Sequence, residues 1–155
     1  MKFNFIRICT LCIAMASFMA CDKDDDKTED RVTAEDITEI KTIINNGEWY
    51  VSYFLDSDED DTDNFLGYGF IFNVSGVLAA TDGNTALSGA WSIAVSDADD
   101  SSDGEVEFDI VFNAPDNFEE LSEDWHIVKY TKSKIELENV SDASGGTDYL
   151  TFEKN

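Results

Sequence analysis

The chain has 155 residues, with 34 acidic against 10 basic side chains and a net charge of −24 at pH 7. Phosphate backbones and anionic head groups repel such a polyanion, which excludes nucleic acid as a partner. His126 is the only histidine, so H-E-x-x-H and multi-histidine zinc sites are excluded as well.

Met1, Lys2 and Arg7 make a short positive start, and residues 8–20 carry no charge. That run is shorter than the roughly 20 apolar residues of a membrane span. It has the proportions of a secretory leader, so 1–20 stands outside the fold. Phe18-Met19-Ala20-Cys21 resembles a bacterial lipobox, where a small residue precedes the cysteine that receives diacylglycerol. The resemblance implies cleavage before Cys21 and a membrane anchor there, with acyl chains of the palmitate kind. Cys9 and Cys12 leave with the leader, so Cys21 would be the lone thiol of the mature chain. Lipidation accounts for it without a disulfide. Two or more acyl chains anchor stably, since each buried methylene contributes about 0.8 kcal/mol.

In residues 22–31 every position but Thr28 is charged, which reads as a solvated tether. Lys23-Asp24-Asp25-Asp26, just after the cysteine, resembles the export signal of Bacteroidetes-type surface lipoproteins. The resemblance implies an outer-membrane, cell-surface location. The alternative is an anchor facing the periplasm.

Residues 32–155 make one domain's worth of chain. Val32 to Asn46 reads as a helix. Thr33 is the expected N-cap, Asp36 its reciprocal partner, Val32 and Ile37 a hydrophobic staple, and Gly47 the stop. Ile37, Ile40, Ile43 and Ile44 form one apolar stripe. After Gly47 the period becomes two. Strands are predicted at 49–55, 66–74, 77–81, 86–95, 105–112, 125–131, 134–138 and 149–153, with a short helical turn at 117–124. Eight strands in simple succession predict an all-β, antiparallel up-and-down barrel after one N-terminal helix.

Gly47-Glu48-Trp49, at the first strand after a helix, is similar to the G-x-W opening of lipocalins, and the eight-strand count agrees. Residues 47–155 thus resemble the lipocalin-like domains of bacterial lipoproteins. The resemblance implies structural roles for Gly47 and Trp49, with the tryptophan at the closed end of the barrel. G-x-W recurs at Gly89-Ala90-Trp91, but a third copy would fall near Tyr130-Thr131-Lys132-Ser133, so no propeller repeat is present.

No catalytic or cofactor motif emerges. There is no G-x-S-x-G elbow to use His126, and Gly67-Tyr68-Gly69 lacks the third glycine of a dinucleotide fingerprint. The Asp56–Asp63 run begins like an EF-hand loop but has Asp61 where Gly is required and Gly67 where Glu is required. The run 97–104 fails similarly. With so many carboxylates, pairs such as Glu119-Glu120 carry no signal for glycoside hydrolysis.

A non-enzymatic binding module is therefore expected. In one reading the barrel holds a small, largely apolar ligand against Trp49, Phe70, Phe72, Trp91, Phe108 and Phe112. In the other those side chains fill the core, since eight strands leave room only for side chains or one small ligand. The module then docks a protein or glycan, with Tyr50, Phe54 and Tyr130 as an outward patch.

Overall fold

The computed structural model describes residues 32–96, 106–140 and 146–154. The leader, Cys21, the Lys23–Asp26 segment and the acidic loop at 97–104 lie outside them.

Helix α1 spans Ile37–Ile44, one turn shorter at its start than the capping signal at Thr33 predicts. The predicted partners still meet. The Thr33 N–H and hydroxyl each donate to Asp36 Oδ2 at 3.0 Å, and the Asp36 N–H donates to the Thr33 carbonyl at 3.0 Å. Asp36 therefore fills the reciprocal half of a capping box. Val32 is buried, and Ile37 packs partly buried against the core. Gly47 turns the chain at φ 93°, a conformation that strains residues with a Cβ.

The strands are β1 (Trp49–Asp56), β2 (Glu59–Asp60), β3 (Gly69–Phe72), β4 (Val77–Thr81), β5 (Ala86–Val95), β6 (Val106–Val111), β7 (Asp124–Tyr130), β8 (Lys134–Val140) and β9 (Thr147–Lys154). All pairings are antiparallel, and β1 pairs with β3 on one side and β9 on the other. The predicted fold is thus the observed one: a closed eight-stranded barrel behind one N-terminal helix. Closure removes the exposed edges of an open sheet. The addition is β2, which pairs only with the end of β1. Ser57 and Asp58, at φ 50° and 70°, form the two-residue turn between them. Two successive positive φ values suit the twist of such a hairpin. The acidic run predicted as a loop is therefore partly strand. A 3-10 turn at Thr62–Phe65 shortens the next strand to Gly69–Phe72.

Two β-bulges decide which side chains enter the barrel. The register shifts between Val51 and Tyr53 in β1, and between Ile127 and Lys129 in β7. Each adds one residue to the strand and reverses the inside-outside alternation beyond it. Phe54 and Tyr130 consequently point inward, 0% and 4% exposed. The expected outward patch of Tyr50, Phe54 and Tyr130 does not exist. A strict two-residue period placed Phe54 and Tyr130 outside, and the bulges turn them in.

Both ends of the barrel are covered. At the end where β1 begins, α1 buries Ile40 and Ile44 against the core. At the other end, the 3-10 turn contributes Phe65 and the short helix α2 (Asp116–Glu119) contributes Phe118, both fully buried.

Candidate functional site

All six residues predicted to line the interior are buried: Trp49, Phe70, Phe72, Trp91, Phe108 and Phe112. Five of them belong to one continuous lattice of rings. Phe72 lies 5.5 Å from Trp91, 5.8 Å from Phe108 and 5.3 Å from Phe152. Phe152 reaches Phe70 at 5.4 Å, and Phe70 stacks on Phe118 at 6.0 Å. Phe118 then meets Phe65, Tyr68 and Phe112 at 5.0–5.3 Å. These are ordinary favourable aromatic spacings. Gly89 permits part of this packing. A Cβ there would stand 2.9 Å from the Phe112 ring, with the Val111 carbonyl closer still.

The sixth residue, Trp49, closes the α1 end. Its Nε1 donates to the Ile44 carbonyl at 2.9 Å. The other tryptophans act alike, with Trp91 Nε1 donating to Asn73 O at 3.0 Å and Trp125 Nε1 to Leu121 O at 3.1 Å. Each indole buries its ring and uses its one donor to hold a connecting segment at a barrel end.

Outside the barrel, a cleft of about 530 Å³ lies beside α1, the β7–β8 turn and the end of β9. Glu39, Ile43, Tyr130, Lys129, Lys132 and Lys134 line it, with Lys154 and Glu153 on the β9 side. The β7 bulge builds this wall by leaving Lys129 at the surface while Tyr130 turns in. The Tyr130 hydroxyl donates to Asp36 Oδ1 at 2.9 Å and lies 3.4 Å from Glu39 Oε2. Lys134 Nζ sits 2.7 Å from Glu136 and 3.5 Å from Glu153, and the Glu136 bond, ahead of any other cause, raises its pKa. Lys154 Nζ stands 4.7 Å from the centre of the Trp49 ring, and burial pulls its pKa down.

No family model matches the chain, and no curated protein or solved structure shows significant similarity to it.

His126 lies half-buried on the outer face of β7, in register with Glu107 and Glu138 on the neighbouring strands. Among the described residues, no three His, Cys, Asp or Glu side chains converge as metal ligands do. The Asp60 carboxylate instead accepts the Thr62 hydroxyl and N–H, at 2.6 and 3.1 Å, within its own loop. Two features escaped the sequence reading. Phe118, the hub of the ring lattice, lies in a loop helix with no strand period to reveal it. The lysine cleft joins residues from three separate segments, and only the clustering of Lys129, Lys132 and Lys134 hinted at it.

Proposed function

We propose that this chain is a lipid-anchored, surface-exposed and non-enzymatic module of lipocalin-like architecture. Its barrel is a filled scaffold, and its outer surface docks a protein or glycan partner. The carrying observation is the ring lattice, in which the would-be ligand residues contact one another beneath two covered ends.

A second reading, with a small apolar ligand in the interior, draws on the inward placement of the same six residues. It requires Phe118 to swing out of four ring contacts. At about 0.5–1.5 kcal/mol each beyond burial, those contacts oppose opening by roughly 2–6 kcal/mol. That is a large part of the about 5–15 kcal/mol that holds a domain folded. Titration with a fluorescent fatty acid separates the readings. The filled scaffold predicts no saturable uptake, whereas one probe bound per barrel, quenching tryptophan emission, would restore the carrier.

The anchor rests on the lipobox-like Phe18–Cys21 segment, and surface display on Lys23-Asp24-Asp25-Asp26. Cys21→Ser is expected to abolish acyl labelling and release the protein from membranes. Retention in the membrane fraction would refute the anchor. Protease applied to intact cells is expected to remove the domain, and its survival would place it inside the envelope.

A further inference from the structure

Beyond the acidic tether the chain carries five basic residues, and four of them, Lys129, Lys132, Lys134 and Lys154, line the cleft beside α1. Glu136 and Glu153 neutralise Lys134. Among the described residues, Lys132 and Lys154 have no carboxylate within ion-pair distance, despite the excess of carboxylates in the chain. Lys154 instead rests on the Trp49 ring. The backbones of these two lysines are held close together, since the Lys154 N–H donates to the Ser133 carbonyl at 2.9 Å. A partly buried ammonium on an indole face gains from an anion that replaces its lost hydration.

The shape and lining of the cleft narrow the anion. Its volume, about 530 Å³, falls in the range of small-molecule sites, which run to roughly 300–1,000 Å³, and a bare inorganic ion would leave most of it empty. The remaining wall offers acceptors at Glu39 and Glu136, hydroxyls at Thr131 and Ser133, and an apolar patch at Ile43. Carboxylate acceptors next to free ammonium groups suit a ligand that carries both a negative group and hydroxyl donors.

We infer that this cleft binds a hydroxylated organic acid of mono- to disaccharide size, its carboxylate held at Lys132 and Lys154 and its hydroxyls at Glu39 and Glu136. The inference rests on the reading that function lies on the outer surface. The negative charge of the whole molecule does not forbid it. Among the described residues, the acidic segments 56–63 and 116–124 lie at the far end of the barrel, a strand length away, roughly 15–20 Å for tilted strands of about seven residues. That is about two Debye lengths at physiological salt, so screening leaves the nearby lysines dominant.

The test is calorimetric titration of the folded domain with glucuronate, glucose and inorganic phosphate as separate probes, with tryptophan emission followed in parallel. Glucuronate is expected to bind saturably and to perturb tryptophan emission through Lys154. Glucose is expected not to bind, and phosphate to bind at least about tenfold more weakly than glucuronate. Lys132→Ala, at an exposed turn, and Lys154→Met, which keeps its stem on the indole, are each expected to weaken glucuronate about tenfold without loss of fold. Absence of saturable glucuronate binding, equal binding of phosphate, or unchanged affinity in both variants would overturn the inference. If such a failure came with a partner still captured by cross-linking on intact envelopes, the cleft proposal alone would fall. An unchanged envelope profile in the same experiment would count against the docking reading as well.

Discussion

The two ends of the barrel are closed over buried side chains but differ in the charge and polar bonds around them. At the end formed by 56–68, 82–85, 112–124 and 146–148, these segments hold no Lys or Arg at all. Glu120 there has its pKa raised by burial first and then by Asp61, Asp56, Asp116 and Glu59. Glu123 is raised by burial and then by Asp148, Asp124 and Asp56. This end stays shut because Phe65, Phe118 and Leu121 are fully buried beneath the charges. Burying each such side chain contributes about 1.5–3 kcal/mol, whereas exposed like charges oppose it by a few tenths each. The α1 end adds to its buried Ile40 and Ile44 a set of directed polar bonds, from Trp49 to Ile44, from Tyr130 to Asp36 and from Lys134 to its two glutamates. Packing tolerates a hostile field at one end, and polar geometry shapes a cleft at the other.

The sharpest way to break the contrast is at the acidic end. Phe118→Ala is expected to cost about 3–5 kcal/mol, read as a lowered urea midpoint, because it removes the hub ring and leaves the carboxylates unopposed. A loss below about 1 kcal/mol would mean that α2 is not what closes that end. At the α1 end, Asp36→Ala removes the acceptor of a buried hydroxyl and the capping partner of Thr33. A hydrogen bond to a charged group is worth about 1.5–3 kcal/mol, so a smaller loss than for Phe118 is expected.

Much of this arrangement could be read in the sequence, for physical reasons. The clean alternation Val106-Glu107-Phe108-Asp109-Ile110 yields β6, inside and outside correctly assigned. The change of period at Gly47 separates α1 from β1, and the inward aromatics of β3 and β5 follow from parity. Parity fails at Phe54 and Tyr130 because each bulge inserts one unpaired residue that no local composition marks. Ser57-Asp58 lacks the Asn-Gly or Asp-Gly signature of its turn, so β2 was invisible. The cleft depends on β9 returning beside the β7–β8 turn, a contact between distant segments that only closure of the barrel creates.

A gentler probe of the acidic end is pH. Glu120, Glu123 and Asp124 have raised pKa values, the first two as described and Asp124 through burial and then Asp109. Groups raised in the fold bind protons more readily than in the unfolded chain. Their contribution is full below the unfolded pKa and lost as pH rises through the folded one. Asp60 and Asp82 run the other way, lowered by hydrogen bonds from Thr62 and from Thr85 and Asn84. Their contribution is lost only as pH falls below the ordinary aspartate value of about 3.9. Stability is therefore expected to rise modestly from neutral pH down to about 5, then fall in stronger acid. Glu120→Gln with Glu123→Gln is expected to gain about 0.5–1 kcal/mol at pH 7 in low salt, and little in 1 M salt. Equal stability at pH 5 and pH 7 would mean that solvent already screens these charges.

The smallest effect belongs to the lysine side. Lys134→Ala breaks contacts to Glu136 and Glu153, but these side chains are 42%, 34% and 34% exposed. Solvent and salt discount such pairs, so a loss of only about 0.2–0.5 kcal/mol is expected. The raised lysine pKa fixes the sign. The stabilisation is present at neutral pH and disappears as pH rises through the folded value, above the ordinary lysine range. The variant should also release Glu136 and Glu153 as uncompensated carboxylates in the cleft, and so weaken glucuronate there more than it weakens the fold. A stability loss above about 2 kcal/mol would instead make Lys134 part of the scaffold, and the contrast between a packed end and a polar, ligand-shaped end would no longer hold.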